Sequence, residues 1–200
     1  MRKISIISLI LYTFLLTLVI SSCGAKNENG TNPATNAANA ISKPLTNSDK
    51  RLQITIPGNW ANADINSEAQ IQATDPERKM GVTVFSQPKV DLKAAGIELV
   101  SYSEENKNSL RDQLKDVKVT TPTNQTVGGN TIIQYQVEGE LQKPLLNLSK
   151  ERITYLYAAI ESATNYNQVV VWSATSQFET NKENLQKIIT SLQELPVKSQ

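Results

Sequence analysis

Val169, Val170, Val171 and Trp172 follow one another without a polar residue between them. Successive side chains of a strand point to opposite faces, so this run puts apolar groups on both sides of a sheet at once. The strand over Gln168–Thr175 is therefore central, and each of its faces needs cover. Two longer segments, Thr131–Glu140 and Lys150–Glu161, read as its companions; in the second, Ile153, Tyr155 and Tyr157 alternate with Thr154 and Leu156. Leu52, Ile54 and Ile56 alternate with Gln53 and Thr55 until Pro57-Gly58-Asn59 stops the strand, and Trp60 follows directly. A short strand over Gly81–Phe85 comes after the turn-like Asp75-Pro76-Glu77, and Gln125-Thr126-Val127 is joined to its successor by Gly128-Gly129-Asn130, residues that tolerate positive φ.

Helical spacing supplies the cover. Asp91 is placed to cap a helix through Leu92, Ala95, Leu99 and Tyr102, weakened at Gly96 and continued or restarted through Leu110 and Leu114. Thr180 and Glu183 have the spacing of a capping box, and Leu185, Ile188, Ile189, Leu192 and Leu195 form an apolar stripe before Pro196. Strands in series with helices after short connections predict an α+β fold. The expected form is an antiparallel β-sheet flanked by helices on both faces, over residues 50–196, with 197–200 as a tail. No internal repeat is present.

The first fifty residues have another character. Met1-Arg2-Lys3 is a positive start, Ile4 to Ile20 is uncharged and mostly aliphatic, and Ser21-Ser22-Cys23 ends the run. This pattern predicts a secretory signal over residues 1–22. Val19 to Cys23 resembles a bacterial lipobox, and the single cysteine of the chain is the expected site of lipidation, Cys23 becoming the mature N-terminus. Several acyl chains anchor durably where one binds only marginally. Cleavage removes Arg2 and Lys3 from 20 basic residues set against 19 acidic ones, so the mature chain is nearly neutral and lipid, rather than a polybasic surface, must hold it at the membrane. Residues 23–49, rich in Asn, Ala, Thr and Ser, read as a flexible tether with an r.m.s. span of about 30 Å.

Composition excludes much chemistry. The chain has no histidine, which removes His-based general acid/base catalysis, thiol–His dyads and nearly all zinc geometries; one cysteine removes structural disulfides. No dense basic patch invites nucleic acid. No Ser-x-x-Lys lies on a strand-to-helix turn, and Gly128-Gly129 lacks the helix and lysine of a phosphate cradle. Asp64, Glu68, Asp75 and Glu77 could face a hard cation, but they lack the spacing of a calcium loop and have Arg78 and Lys79 beside them, so they read as solvated loop acids. Among the aromatics, Trp172 and at least one of Tyr155 and Tyr157 belong to the core. Trp60, just after a Pro-Gly turn, is the expected exposed anchor for a partner.

The Leu52–Trp60 segment with its Ile-Pro-Gly-Asn-Trp end, the Tyr155 and Tyr157 strand, Val169–Ser173, and the closing Leu185–Leu192 helix with Ile188-Ile189-Thr190-Ser191 together resemble the PsbP-like family, including the DcrB-type bacterial lipoproteins. The resemblance implies an α/β/α sandwich on an antiparallel sheet, in non-catalytic proteins that dock on membrane complexes, photosystem II among them. Metal binding in that family often uses histidine, so no metal site carries over, and no cofactor is expected. The combined expectation is an exported, lipid-anchored, monomeric interaction or assembly module facing the periplasm, lumen or cell exterior. A carrier of a small ligand or cation is the alternative, and an enzyme would need a carboxylate pair in a closed cleft.

Overall fold

A computed structural model describes residues 42–75, 77, 79–143 and 151–196. The expectations for residues 1–41, lipidation of Cys23 included, and for the tail 197–200 lie outside them. In chain order the elements are β1 (Ser42–Thr46), β2 (Leu52–Pro57), β3 (Ala61–Asn62), β4 (Ile71–Asp75), β5 (Met80–Pro88), α1 (Lys89–Ala94) and α2 (Leu99–Arg111). They continue as β6 (Leu114–Val119), β7 (Thr123–Val127), β8 (Asn130–Leu141), β9 (Arg152–Glu161), β10 (Asn165–Ala174), α3 (Thr175–Thr190) and β11 (Gln193–Glu194).

Two antiparallel sheets result. The larger has the order β3-β4-β5-β10-β9-β8-β6, with β7 also paired to β8; the smaller is β1-β2-β11. As its apolar run demands, β10 is central, with Val170 opposite Thr83 on one side and Tyr157 on the other. One face of the large sheet buries Val82, Val84, Leu156, Ala158, Val169 and Val171 with Ile54 and Ile56 of β2 and with Phe178, Leu185, Ile188 and Ile189 of α3. The opposite face buries Tyr135, Tyr155, Tyr157, Tyr166 and Trp172 with Leu99, Tyr102 and Leu110 of α2. Each fully buried side chain of this size stabilises by about 1.5 to 3 kcal/mol. The fold is thus an antiparallel, sheet-dominated α+β one. The layer over the first face is not helical throughout, because β2 shares it with α3.

Several boundaries differ from the sequence expectation. Residues 42–46, read as the end of the tether, form β1, paired with β2 from Ser42 opposite Pro57 to Thr46 opposite Gln53. Composition concealed this strand: Pro44 is tolerated because β1 is an edge, and only Leu45 packs on the core. Asn47 shapes the connection, its side-chain Oδ1 accepting from the backbone N–H groups of Arg51 and Leu52 at 2.9 Å each. The predicted first helix is two helices parted at Gly96, whose φ of 78° ends α1. Asp91 lies in the first turn of α1 rather than capping it, and Leu114 belongs to β6.

The capping box at Thr180 and Glu183 is not formed. β10 runs straight into α3, whose N-cap is Ala174, so Thr180 lies inside the helix and is exposed. Thr175 at its start meets Thr154 of β9 through their hydroxyl groups at 3.0 Å. Leu195 leaves the helical stripe altogether, since its N–H donates to Arg51 O at 2.8 Å beyond β11. The Gly128-Gly129 turn is as expected: φ is 59° and 85°, the pair of positive values that a tight hairpin between β7 and β8 needs.

Candidate functional site

Trp172, Tyr155 and Tyr157 meet in the core of one sheet face, but Trp60 and the four acids do not join them in a common site. Trp60 is 2% exposed and packs within the first core, not on the surface. The turn folds it back, with Trp60 N–H donating to Pro57 O at 3.1 Å, and Lys43 Nζ covers its carbonyl at 2.6 Å. Trp172, Tyr155 and Tyr157 are buried, as core aromatics should be. Of the four acids, Asp64, Glu68 and Glu77 are exposed while Asp75 is buried and accepts from Asn59 Nδ2 at 2.9 Å. Among the described residues no group of three acid, cysteine or histidine side chains is arranged to hold a metal ion.

A different carboxylate stands out. β11 lies beside β2, with Glu194 opposite Leu52, and this pairing carries the Glu194 side chain to the turn between β9 and β10. One oxygen, Oε1, accepts from Asn165 Nδ2 at 2.7 Å and from the Ser162 hydroxyl; the other, Oε2, accepts from Thr164 Oγ1 at 3.0 Å and from Thr164 N–H at 3.2 Å. Asn167, wholly buried, donates from Nδ2 to Ser162 Oγ at 2.8 Å and so orients the hydroxyl. Partial burial works against ionisation of Glu194, yet the donors from Ser162, Asn165 and Thr164 outweigh it and hold the carboxyl below its usual range. Beside it opens a cavity of about 360 Å³, within the range of small-ligand sites. Val127, Leu192 and Ala163 give it apolar wall; Asn130, Thr190 and Glu194 give it polar groups.

On the opposite face, Tyr135 donates its hydroxyl to Glu104, which is also paired with Lys107, and the Lys107 ammonium lies 4.9 Å from the centre of the Tyr135 ring. The Lys107 and Tyr135 hydrogen bonds lower the Glu104 carboxyl, whereas burial and then Glu104 push Tyr135 up to about 12. The rings of Tyr102 on α2 and Tyr166 on β10 lie 5.6 Å apart with their planes tilted by 42°, and those of Tyr135 and Tyr157 on neighbouring strands lie 6.1 Å apart, tilted by 37°. The Tyr135–Glu104–Lys107 and Tyr102–Tyr166 contacts tie α2 to the sheet.

Sequence reasoning missed both clusters. Ser162 and Glu194 are 32 positions apart, and no local spacing announces that they meet.

Comparison with known proteins gives the architecture its context. No family model and no curated protein matches the chain. Solved structures do. Cyanobacterial PsbP (CyanoP) from Synechocystis superposes with a TM-score of 0.52 over 88% of this chain and 99% of that one, at 12% identity. LpqN of Mycobacterium tuberculosis, involved in cell envelope biogenesis, gives 0.50 over 78% and 91%, at 13% identity. A mutant of the protein Mog1 gives 0.52 over 78% and 97%, at 10% identity. At such identities the likeness is one of fold. The chain therefore has the fold seen in CyanoP, LpqN and Mog1, a PsbP-like one.

Proposed function

We propose that the protein is a non-catalytic, exported lipoprotein, anchored through Cys23, whose PsbP-like domain binds as a monomer to a membrane protein complex and stabilises or helps assemble it. The observation that carries this reading is the correspondence with CyanoP over 99% of that protein's length, because it extends to a whole domain of this fold rather than to a fragment. The lipobox-like Val19 to Cys23 supports the anchor, and the near-neutral mature chain leaves lipid as the means of attachment. The segment after Cys23 gives the domain reach above the headgroups. Among the described residues no helix is long and apolar enough to cross a membrane. In a photosynthetic source the complex would be photosystem II.

Two measurements test the reading. Intact mass of membrane-extracted protein should show a chain beginning at an acylated Cys23, and Cys23→Ser should move the protein to the soluble fraction. A mature chain beginning elsewhere, or a Cys23→Ser protein that stays tightly bound after its signal has been cleaved, would sink the anchor. Native electrophoresis of mildly solubilised membranes after cross-linking should then shift the chain into a larger complex; migration at monomer mass throughout would sink the docking role.

A further inference from the structure

We propose that the cavity beside Glu194 binds a small organic cation: an ammonium group held against the Glu194 carboxylate, with a short apolar body against Val127, Leu192 and Ala163. The proposal goes beyond docking and depends on neither the lipid anchor nor a protein partner.

Charge comes first. The lysines near the turn are already committed: Lys89 lies 3.1 Å from Glu161 and also donates to Ser162 O at 2.9 Å, and Lys93 lies 3.6 Å from Glu161 and 3.8 Å from Glu98. Among the described residues no lysine or arginine pairs with Glu194. Its partners are instead neutral donors, two on each oxygen, which fix the carboxylate in place without cancelling its charge. A fixed negative charge that no lysine or arginine pairs with attracts a cation to the cavity through its field, although its own lone pairs are occupied by the turn.

The kind of cation follows from the same geometry. A hard metal ion takes six or more oxygen ligands and favours several carboxylates, whereas this wall offers one carboxylate. An alkylammonium asks for less: net negative charge, a few oxygens such as those of Asn130 and Thr190, and apolar surface for its carbon chain. About 360 Å³ holds a compact amine with room for water.

The test uses the full chain in neutral detergent, titrated by calorimetry with n-butylammonium, n-butanol and n-butyrate against detergent blanks. Saturable binding of the ammonium is expected, at least about tenfold tighter than the alcohol and weakened by about 0.5 M salt, with no binding of butyrate. Glu194→Gln should erase the preference for the ammonium over the alcohol. Because that variant also alters the hydrogen bonds of the turn, Thr190→Lys provides a second arm: it places a cation at the cavity and should abolish ammonium binding while leaving the thermal midpoint nearly unchanged. Equal binding of ammonium and alcohol, retention of the preference in Glu194→Gln, undiminished binding in Thr190→Lys, or no saturable binding of the ammonium would each overturn the proposal. Tighter binding of calcium than of the ammonium would reassign the cavity to a metal.

Discussion

The indole of Trp172 lies across Gly81, its direct partner on the neighbouring strand, so closely that a Cβ at position 81 would fall 2.2 Å from Cζ2 of the ring. The glycine is a requirement of packing, because no side chain fits between β5 and the indole. Gly81→Ala should cost about 1 to 3 kcal/mol through overpacking. Adding Trp172→Leu should recover part of that loss, a coupling that urea unfolding of the two single variants and the double variant measures. Strict additivity would show that the ring yields freely.

β1 belongs to the fold, so a chain beginning at Lys50 should be less stable than one beginning at residue 40, by about 2 kcal/mol or more from the lost Leu45 contact and strand pairing. Unfolding midpoints of the two chains decide this. Coincident midpoints would mean that residues before Lys50 add nothing.

Within α3 the two ends of the sequence argument separate. Ile189 is wholly buried, and Ile189→Ala should cost about 2 to 5 kcal/mol. Thr180 is an exposed interior position rather than a cap, so Thr180→Ala should leave stability unchanged or raise it by up to about 0.7 kcal/mol, alanine being the better helix former. A loss of about 1 kcal/mol on Thr180→Ala would instead indicate a cap.

Glu194 makes a prediction about acid. Its carboxyl is held below the unfolded value, so the stability it contributes is present above about pH 4.3 and is lost as pH falls through the folded value. Glu194→Gln should therefore destabilise at neutral pH, and the gap to the parent should close in stronger acid. A gap that widens as pH falls would contradict the hydrogen-bond assignment.

The tyrosines make the matching prediction in alkali. Burial raises Tyr102, Tyr155 and Tyr157 well above the free phenol and pushes Tyr135 and Tyr166 up to about 12. Between about pH 10 and 12 the unfolded chain loses phenolic protons that the folded chain keeps, so stability must fall as pH rises through that window. In a chain lacking residues 1–22, and with them Tyr12, absorbance near 295 nm should stay flat through pH 10 and rise only with alkaline unfolding, whereas a phenolic step near pH 10 with native circular dichroism intact would expose at least one of these five rings.

Periodicity made the middle of the domain legible. Val169–Trp172 announced a central strand, Ile153 to Tyr157 its neighbour, Gly128-Gly129 a hairpin, and Ile188 and Ile189 a buried stripe. The edges were not legible, for a physical reason. β6 exposes Lys115, Asp116 and Lys118, the charges that keep an edge from pairing further, and those charges erase the alternation by which a strand is read. β11 is two residues long and exists only because β2 is there to receive it. Trp60 misled because a Pro-Gly turn reads as surface, whereas this one redirects the chain inward. The Glu194 cavity draws on the β7–β8 turn, the β9–β10 turn and the end of α3, three places whose meeting is a matter of topology.

β1 also sets how the domain answers to force. Ser42 pairs with Pro57 at the end of β2 away from the connecting turn, so tension pulling Ser42 sideways off β2 would load those pairs one at a time, in the manner of a zipper. Peeling would run from Ser42 to Thr46 and release five residues, about 17 Å of extended chain, before the load reached Leu52 and the buried side of β2. The strand would act as a short mechanical fuse: it gives up chain under a tug, re-zips when the tug ends, and leaves the ring-filled face beneath α2 undisturbed.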